Sequence, residues 1–294
     1  AQPVDRVDWT IDDSLCRYMT SNGPFSALCS QALINPSEQG VVFDGWSDAV
    51  LWNAIVPVEG KPGFVIGATS QGSCSNTSDT DANGSFSLQA WVKWTGSSDG
   101  PIDVCGESVS RYYQVLSTVN RTQTMNAPDG PYGFRFLVRI QKQGAPEWVF
   151  QWVNDFEGIA QLSERPLGVT CVPRSWTHLA FTFCAELTQN GTVPVWTGPA
   201  LIYVNGNPFA NFPLSLALPK SFVVEIGSHY PPNVAHSCAM ECPDPVLCPS
   251  WPGVVRSVTM HARRLTEQEL QAVSAETAPI AVTAGGAAAA ATLT

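Results

Sequence analysis

The stretch FSLQAWVKW, residues 86 to 94, puts Phe86, Leu88, Ala90 and Val92 on one side of an extended backbone and Ser87, Gln89, Trp91 and Lys93 on the other. A period of two with one apolar side is the pattern of a strand. FRFLVRIQ (134–141) repeats it, with Phe134, Phe136, Val138 and Ile140 opposed to Arg135, Leu137, Arg139 and Gln141. EWVFQWVND (147–155), SWTHLAFTFC (175–184), ALIYVNGNPFA (200–210), SFVVEIGS (221–228) and GVVRSVTMHA (253–262) follow, separated by Gly, Pro and Asn turns. Asn205-Gly206 between two apolar runs is a hairpin signal. One short helix is expected: Thr266 caps EQELQAV, and Glu269 at the third helical position completes a capping box. So many strands joined by turns, with so little helix, predict two packed antiparallel sheets. The 294 residues suffice for a single all-β domain.

The formal net charge is −10 with only 14% charged residues, and the Lys and Arg are scattered rather than clustered, which argues against a nucleic-acid surface. No apolar run approaches the ~20 residues of a membrane span. AQPVDRVDW at the N-terminus has no charged-then-apolar leader, so an export signal is expected to have been removed already. Export itself is expected on two counts. Nine cysteines point to an oxidising compartment, and four sequons, at Asn76, Asn83, Asn120 and Asn190, lie in stretches that read as loops. Together they predict a glycosylated protein, secreted or at a cell surface. The odd cysteine count leaves at least one thiol without an internal partner, either free or cross-linked to another chain. Cys171 and Cys184 flank a stretch containing WTHLAFTF, whose eight residues span about 26 Å when extended, so both are expected to pair elsewhere. Cys238, Cys242 and Cys248 crowd one Pro-rich loop beside His229 and His236, where disulfides are favoured over zinc because no regular C-x-x-C pair is present.

The order of segments resembles the concanavalin A-like jelly roll in its laminin-G-like and pentraxin-like branch. VDWTIDDSLCRYMTSNG resembles the opening strand and acidic turn, VVFDGWSDAVLW the "F-x-G-x-x-D-y-V" strand, and FSLQAWVKW the "F-T-x-x-a-W-v-k" strand. WTHLAFTF with LIYVNGNPF resembles "W-x-H-v-a-x-t-y … l-Y-v-N-G", and FVVEIGS resembles the "l-x-I-G" strand. PGVVRSVTMHARRLTEQEL resembles the closing strand and helix, although Val255-Arg256 stand where the pattern has isoleucine and an acidic residue. The resemblance implies a jelly-roll domain over residues 1–275, with 276–294 a flexible Ala/Thr/Gly-rich tail or linker. Residues 229–252 form a cysteine-rich insertion, and 186–199 read as irregular.

Families of this kind bind glycans or proteins, often through calcium, or hydrolyse polysaccharides, so fold alone does not choose a function. A retaining glycosidase needs two carboxylates about 5–5.5 Å apart. The glucanase pattern E-x-D-x-x-E is absent, the nearest pair, Asp155 and Glu157, runs into a Gly turn, and no G-x-S-x-G elbow occurs. A non-enzymatic module recognising glycans or extracellular proteins is therefore expected, with a polysaccharide hydrolase as the lesser alternative. Gln89, Trp91, Lys93, Arg135, Arg139, Gln151 and His178 gather opposite the core, and such amides, guanidiniums and indoles suit sugars. The plain alternative is a solvated sheet face. Tyr112, Tyr113, Tyr230, Trp196 and Trp251 offer a second, loop-borne surface. A third reading is a structural subunit of a coat, fibre or filament that assembles with itself, through the odd cysteine or otherwise.

SDTDANGS (78–85) matches the front of a calcium loop, D-x-D-x-N-G, and overlaps the Asn83 sequon. Counted from Asp79, the twelfth position is Ala90 rather than a bidentate Glu, so an EF-hand is excluded. A looser Ca2+ site using Asp79, Asp81 and backbone carbonyls at the sandwich rim remains, beside the reading of a polar, glycosylated entrance to a strand.

Overall fold

A computed structural model of the chain describes residues 6–10, 29–30, 33–35, 38–44, 49–52, 65–67, 83–96, 102–104, 107–109, 111–118, 133–141, 145–156, 159–189, 193–220, 222, 224–227 and 251–280. The strands are β1 (Arg6–Thr10), β2 (Cys29–Ser30), β3 (Leu33–Asn35), β4 (Gly40–Asp44), β5 (Ala49–Trp52) and β6 (Phe86–Trp94). They continue as β7 (Ile102–Val104), β8 (Glu107–Val109), β9 (Arg111–Ser117), β10 (Phe134–Ile140), β11 (Glu147–Phe156) and β12 (Ile159–Thr170). The last are β13 (Trp176–Phe183), β14 (Glu186–Gln189), β15 (Val195–Val204), β16 (Asn207–Ala217), β17 (Val224–Ile226) and β18 (Pro252–His261), followed by helix α1 (Glu267–Thr277).

One sheet of nine strands runs β14-β15-β13-β6-β18-β4-β3, with β1 added to β18 and β16 to β15. The other, of seven, runs β12-β11-β10-β9-β17-β5-β2, and β7 and β8 form a separate pair. This is the all-β sandwich of two sheets that the alternation predicts, in the jelly-roll form that the resemblance implies. Leu88, Val92, Leu179 and Phe181 from one sheet and Phe134, Phe136, Val138 and Phe150 from the other share one buried core. Phe181 lies at the seam, its ring centroid 5.5 Å from Phe86, 5.0 Å from Phe134 and 5.1 Å from Phe150.

The structure departs from the sequence reading at the breakers. β12 crosses Pro166 and Gly168 as the terminal strand of its sheet, where a missing N–H interrupts no ladder. The stretch read as irregular from 186 to 199 holds β14 and the start of β15, paired through Glu186 with Thr197 and Leu187 with Trp196. VVFDGWSDAVLW splits into β4 and β5, which belong to different sheets.

The capping box at Thr266 forms: its hydroxyl accepts from the Glu269 amide at 3.3 Å, and Glu269 Oε2 accepts from the Thr266 amide at 2.8 Å. The Arg263 guanidinium, 2.8 Å from Glu269 Oε1, holds that carboxyl down to about 2. The helix continues past residue 275. Glu276 pairs with Arg6 at 3.1 Å, the Thr277 carbonyl accepts from Arg256, and Gln39 bonds both the amide and the carbonyl of Ile280 at 2.8 and 3.0 Å. These contacts hold the first residues of the expected tail, 276–280, against the sandwich, and 281–294 lie outside the described residues.

Cys184 is disulfide-bonded, as expected, whereas Cys171 is a free thiol. Cys171 is only 1% exposed, and burial pushes its pKa far above the ordinary thiol value. Cys171 was expected to pair elsewhere in the chain, and it is instead a free thiol, one of the two fates that the odd count allowed. In native protein Cys171 should resist Ellman's reagent and react only on unfolding; prompt modification of Cys171 in the native state would show that the packing is wrong.

Candidate functional site

The polar residues expected to share one ligand face lie on opposite sides of the sandwich. β6 and β13 place Gln89, Trp91, Lys93 and His178 on the outer side of the nine-stranded sheet, whereas β10 and β11 place Arg135, Arg139 and Gln151 on the outer side of the seven-stranded one. A single surface built from all of them is ruled out by the topology.

On the seven-stranded sheet the polar groups bind one another. Arg135 Nε donates to Gln151 Oε1 at 2.7 Å, and Gln151 Nε2 donates to Glu164 Oε2 at 2.6 Å. Arg139 donates twice to Glu147 Oε1, at 3.1 and 2.6 Å, and pairs with Glu164, while Gln141 reaches the same Glu147 oxygen at 2.9 Å. Arg135 and Gln151 are buried, and the Arg139 side chain keeps only 15% of its exposure. The three were expected to meet ligand; instead they form a cross-strand ladder over β10, β11 and β12, the satisfied arrangement that burial requires.

On the nine-stranded sheet the outer face is roofed by α1. Ala180, Tyr203, Leu265 and Leu270, with Leu201, make a small apolar cluster that seats the helix. Beneath this end, Ser87 Oγ accepts from the Leu265 amide at 2.8 Å and donates to the Arg263 carbonyl at 3.0 Å. His178 is 1% exposed, with Nε2 2.9 Å from Gln89 Oε1 and its ring 5.1 Å from Trp91. Burial pushes its pKa down to about 4, so the imidazole is neutral. Gln89 is likewise buried. Both were expected ligand contacts, and both are buried.

Trp91 and Lys93 keep partial exposure on this face. Trp91 lines an open cleft of about 590 Å³ between α1 and the β15–β16 hairpin, together with Trp176, Asn205, Asn207, Gln271 and Ser274. The walls are fixed from several directions. Trp91 Nε1 donates to the Ser274 carbonyl at 3.1 Å, tying the sheet to the helix. The His178 amide donates to Asn205 Oδ1 and the Asn205 amide to the His178 carbonyl, both at 2.8 Å, tying the hairpin to β13. Asn205 and Gly206, at φ 52 and 77, form the left-handed tip that Asn-Gly predicts. Lys93 stands over the Trp176 ring, 5.0 Å from its centroid, and pairs with Glu38. A second cavity, about 950 Å³, lies at the helix N-terminus against Cys184, Glu186, Tyr203, Arg264 and Glu267, with Arg264 Nη1 3.6 Å from Cys184 Sγ.

Asn83 was expected to carry a glycan, but it is 2% exposed, and its Oδ1 accepts from the Ser85 amide at 3.0 Å. A bulky sugar on that buried amide has no way out, so this sequon is a packed turn. Gly84 fits there because a Cβ would come within 2.2 Å of the Trp196 indole. Of the expected loop aromatics, Tyr113, Trp196 and Trp251 are core residues and Tyr112 is half-buried. Tyr230, Asp79, Asp81, Asn76, Asn120 and Asn190 lie outside the described residues. Among the described residues no group of three or more His, Cys, Asp or Glu side chains could hold a metal ion.

No protein-family model and no curated protein matches the chain. Among solved structures, a native heptameric SAP-like pentraxin from Limulus polyphemus is similar at 13% identity and TM-score 0.35, over 65% of this chain and 69% of that one. Domain 4 of an extracellular arabinanase from Geobacillus stearothermophilus, in complex with arabinotriose, is similar at 11% identity and TM-score 0.39, over 91% and 87%. The CBM40 of the Ruminococcus gnavus IT-sialidase is similar at 12% identity and TM-score 0.38, over 80% and 95%. These are likenesses in the course of the backbone alone and say nothing of what this chain is or binds.

Proposed function

We propose that the protein is a non-enzymatic binding module that holds a glycan in the cleft between α1 and the β15–β16 hairpin. The observation that carries this reading is the convergence of the Trp91 and Trp176 indoles with the amides of Asn205, Asn207 and Gln271 on one open hollow. An indole stacks on the C–H face of a sugar ring, and side-chain amides supply both the donors and the acceptors that hydroxyls need. Specific sites of this kind combine aromatic surface with a few placed polar groups. The Cys184 disulfide supports an exported setting, secreted or at a cell surface.

A glycan array probed with the wild-type protein and with Trp176→Ala tests the reading. Loss of a stacking indole should weaken binding by about 2 kcal/mol, roughly thirtyfold. Asn207→Ala, at the exposed first residue of β16, should weaken the same spots to a smaller extent. Undiminished binding in both variants would place any glycan site elsewhere and end this proposal.

A further inference from the structure

We infer that the cleft selects neutral glycans and recognises them without a metal ion, an inference that rests on the glycan-binding reading above. Among the described residues the lining side chains, Trp91, Trp176, Asn205, Asn207, Gln271 and Ser274, are uncharged, and Gly206, Ala275 and Ala278 join them in the wall. Lys93, the cation over the Trp176 ring, pairs with Glu38. A sialic acid, uronic acid or sulfated sugar entering here would shed part of its hydration with no cation to replace it. The net charge of −10 adds long-range repulsion of any anion. A neutral pyranose meets the opposite situation: its hydroxyls both donate and accept, as do the three amides, and its C–H face matches the indoles.

The same lining excludes a calcium bridge. Calcium takes six to eight oxygen ligands, with carboxylates prominent among them. Among the described residues no carboxylate lines this hollow, in contrast with the cavity at the other end of α1, which has Glu186 and Glu267 beside Arg264. With this lining, recognition in the cleft rests on stacking and hydrogen bonds, with no ion for a chelator to remove.

The test is isothermal titration of the intact protein with neutral oligosaccharides of glucose, galactose, mannose and arabinose, and with sialyllactose, oligogalacturonates and heparin oligosaccharides. Each is run with calcium and with EDTA, at low and high salt. The expected result is binding confined to neutral sugars, with Kd changed less than about twofold by EDTA or salt and weakened about thirtyfold in Trp176→Ala. Tight binding of an acidic sugar that Trp176→Ala weakens would overturn neutral selectivity while leaving the cleft as the site. Loss of neutral-sugar binding in EDTA would overturn metal independence. Absence of binding to every sugar would overturn the glycan reading itself, and this inference with it.

Discussion

Replacing Phe181 with alanine will destabilise the fold by about 3–5 kcal/mol, the range for removing a large aromatic from a packed core. Phe181 has no exposed surface, and its ring meets Phe86 and Phe183 of its own sheet and Phe134 and Phe150 of the other. The void cannot collapse easily, because those neighbours are strand residues held by ladders on both sides. Urea unfolding followed by tryptophan fluorescence reads the loss directly. Phe209→Ala is the control: that ring is 45% exposed, so its removal should change stability by less than about 1 kcal/mol. A Phe181→Ala effect as small as the control's would contradict the stacking of the two sheets.

Acidification supplies the second large effect. The His178 imidazole titrates near its ordinary 6.5 when the chain is unfolded and near 4 when folded, because burial penalises the cation. Between those values the unfolded chain binds the additional proton, so the contribution is fully present above pH 6.5 and is lost as pH falls towards 4. The shift corresponds to about 3 kcal/mol. His178→Gln, which keeps a polar group opposite Gln89, should flatten this part of the stability profile. Glu269 acts in a lower window, since its carboxyl falls from 4.5 to about 2 beside Arg263, and its contribution goes only as pH drops through that range. Equal pH slopes for wild type and His178→Gln between pH 6.5 and 4 would show that His178 is not buried beneath the helix.

The sandwich is legible in the sequence because side-chain alternation survives in the long central strands. FSLQAWVKW, FRFLVRIQ and WTHLAFTF each bury the face that their period of two predicts. β12 escapes notice because Pro166 and Gly168 read as breakers, while a terminal strand tolerates both. The site is less legible for a different reason. Alternation separates inside from outside within one strand, yet it does not reveal which sheet a strand joins or what covers the outer face. Thus Arg135 and His178 look equivalent in sequence and lie on opposite sides of the molecule, and the recognisable helix gives no sign that it roofs Gln89 and His178. Asn83-Gly84-Ser85 is a related case. A sequon and a buried Asx turn share the same letters, and only the Trp196 indole against Gly84 distinguishes them. Trp176 and the Asn205-Gly206 tip were both visible as residues, but their meeting depends on the β6–β13–β15 register.

The most direct measurement of the central claim is an NMR titration of 15N-labelled protein with whichever neutral oligosaccharide binds, following the indole N–H and side-chain amide signals. Binding in the cleft predicts that the signals of Trp91, Trp176, Asn205, Asn207 and Gln271 move together and saturate with one Kd, while those of Arg135, Arg139 and Gln151 stay in place. Shifts confined to the ladder on the seven-stranded sheet, with both indoles unmoved, would contradict it.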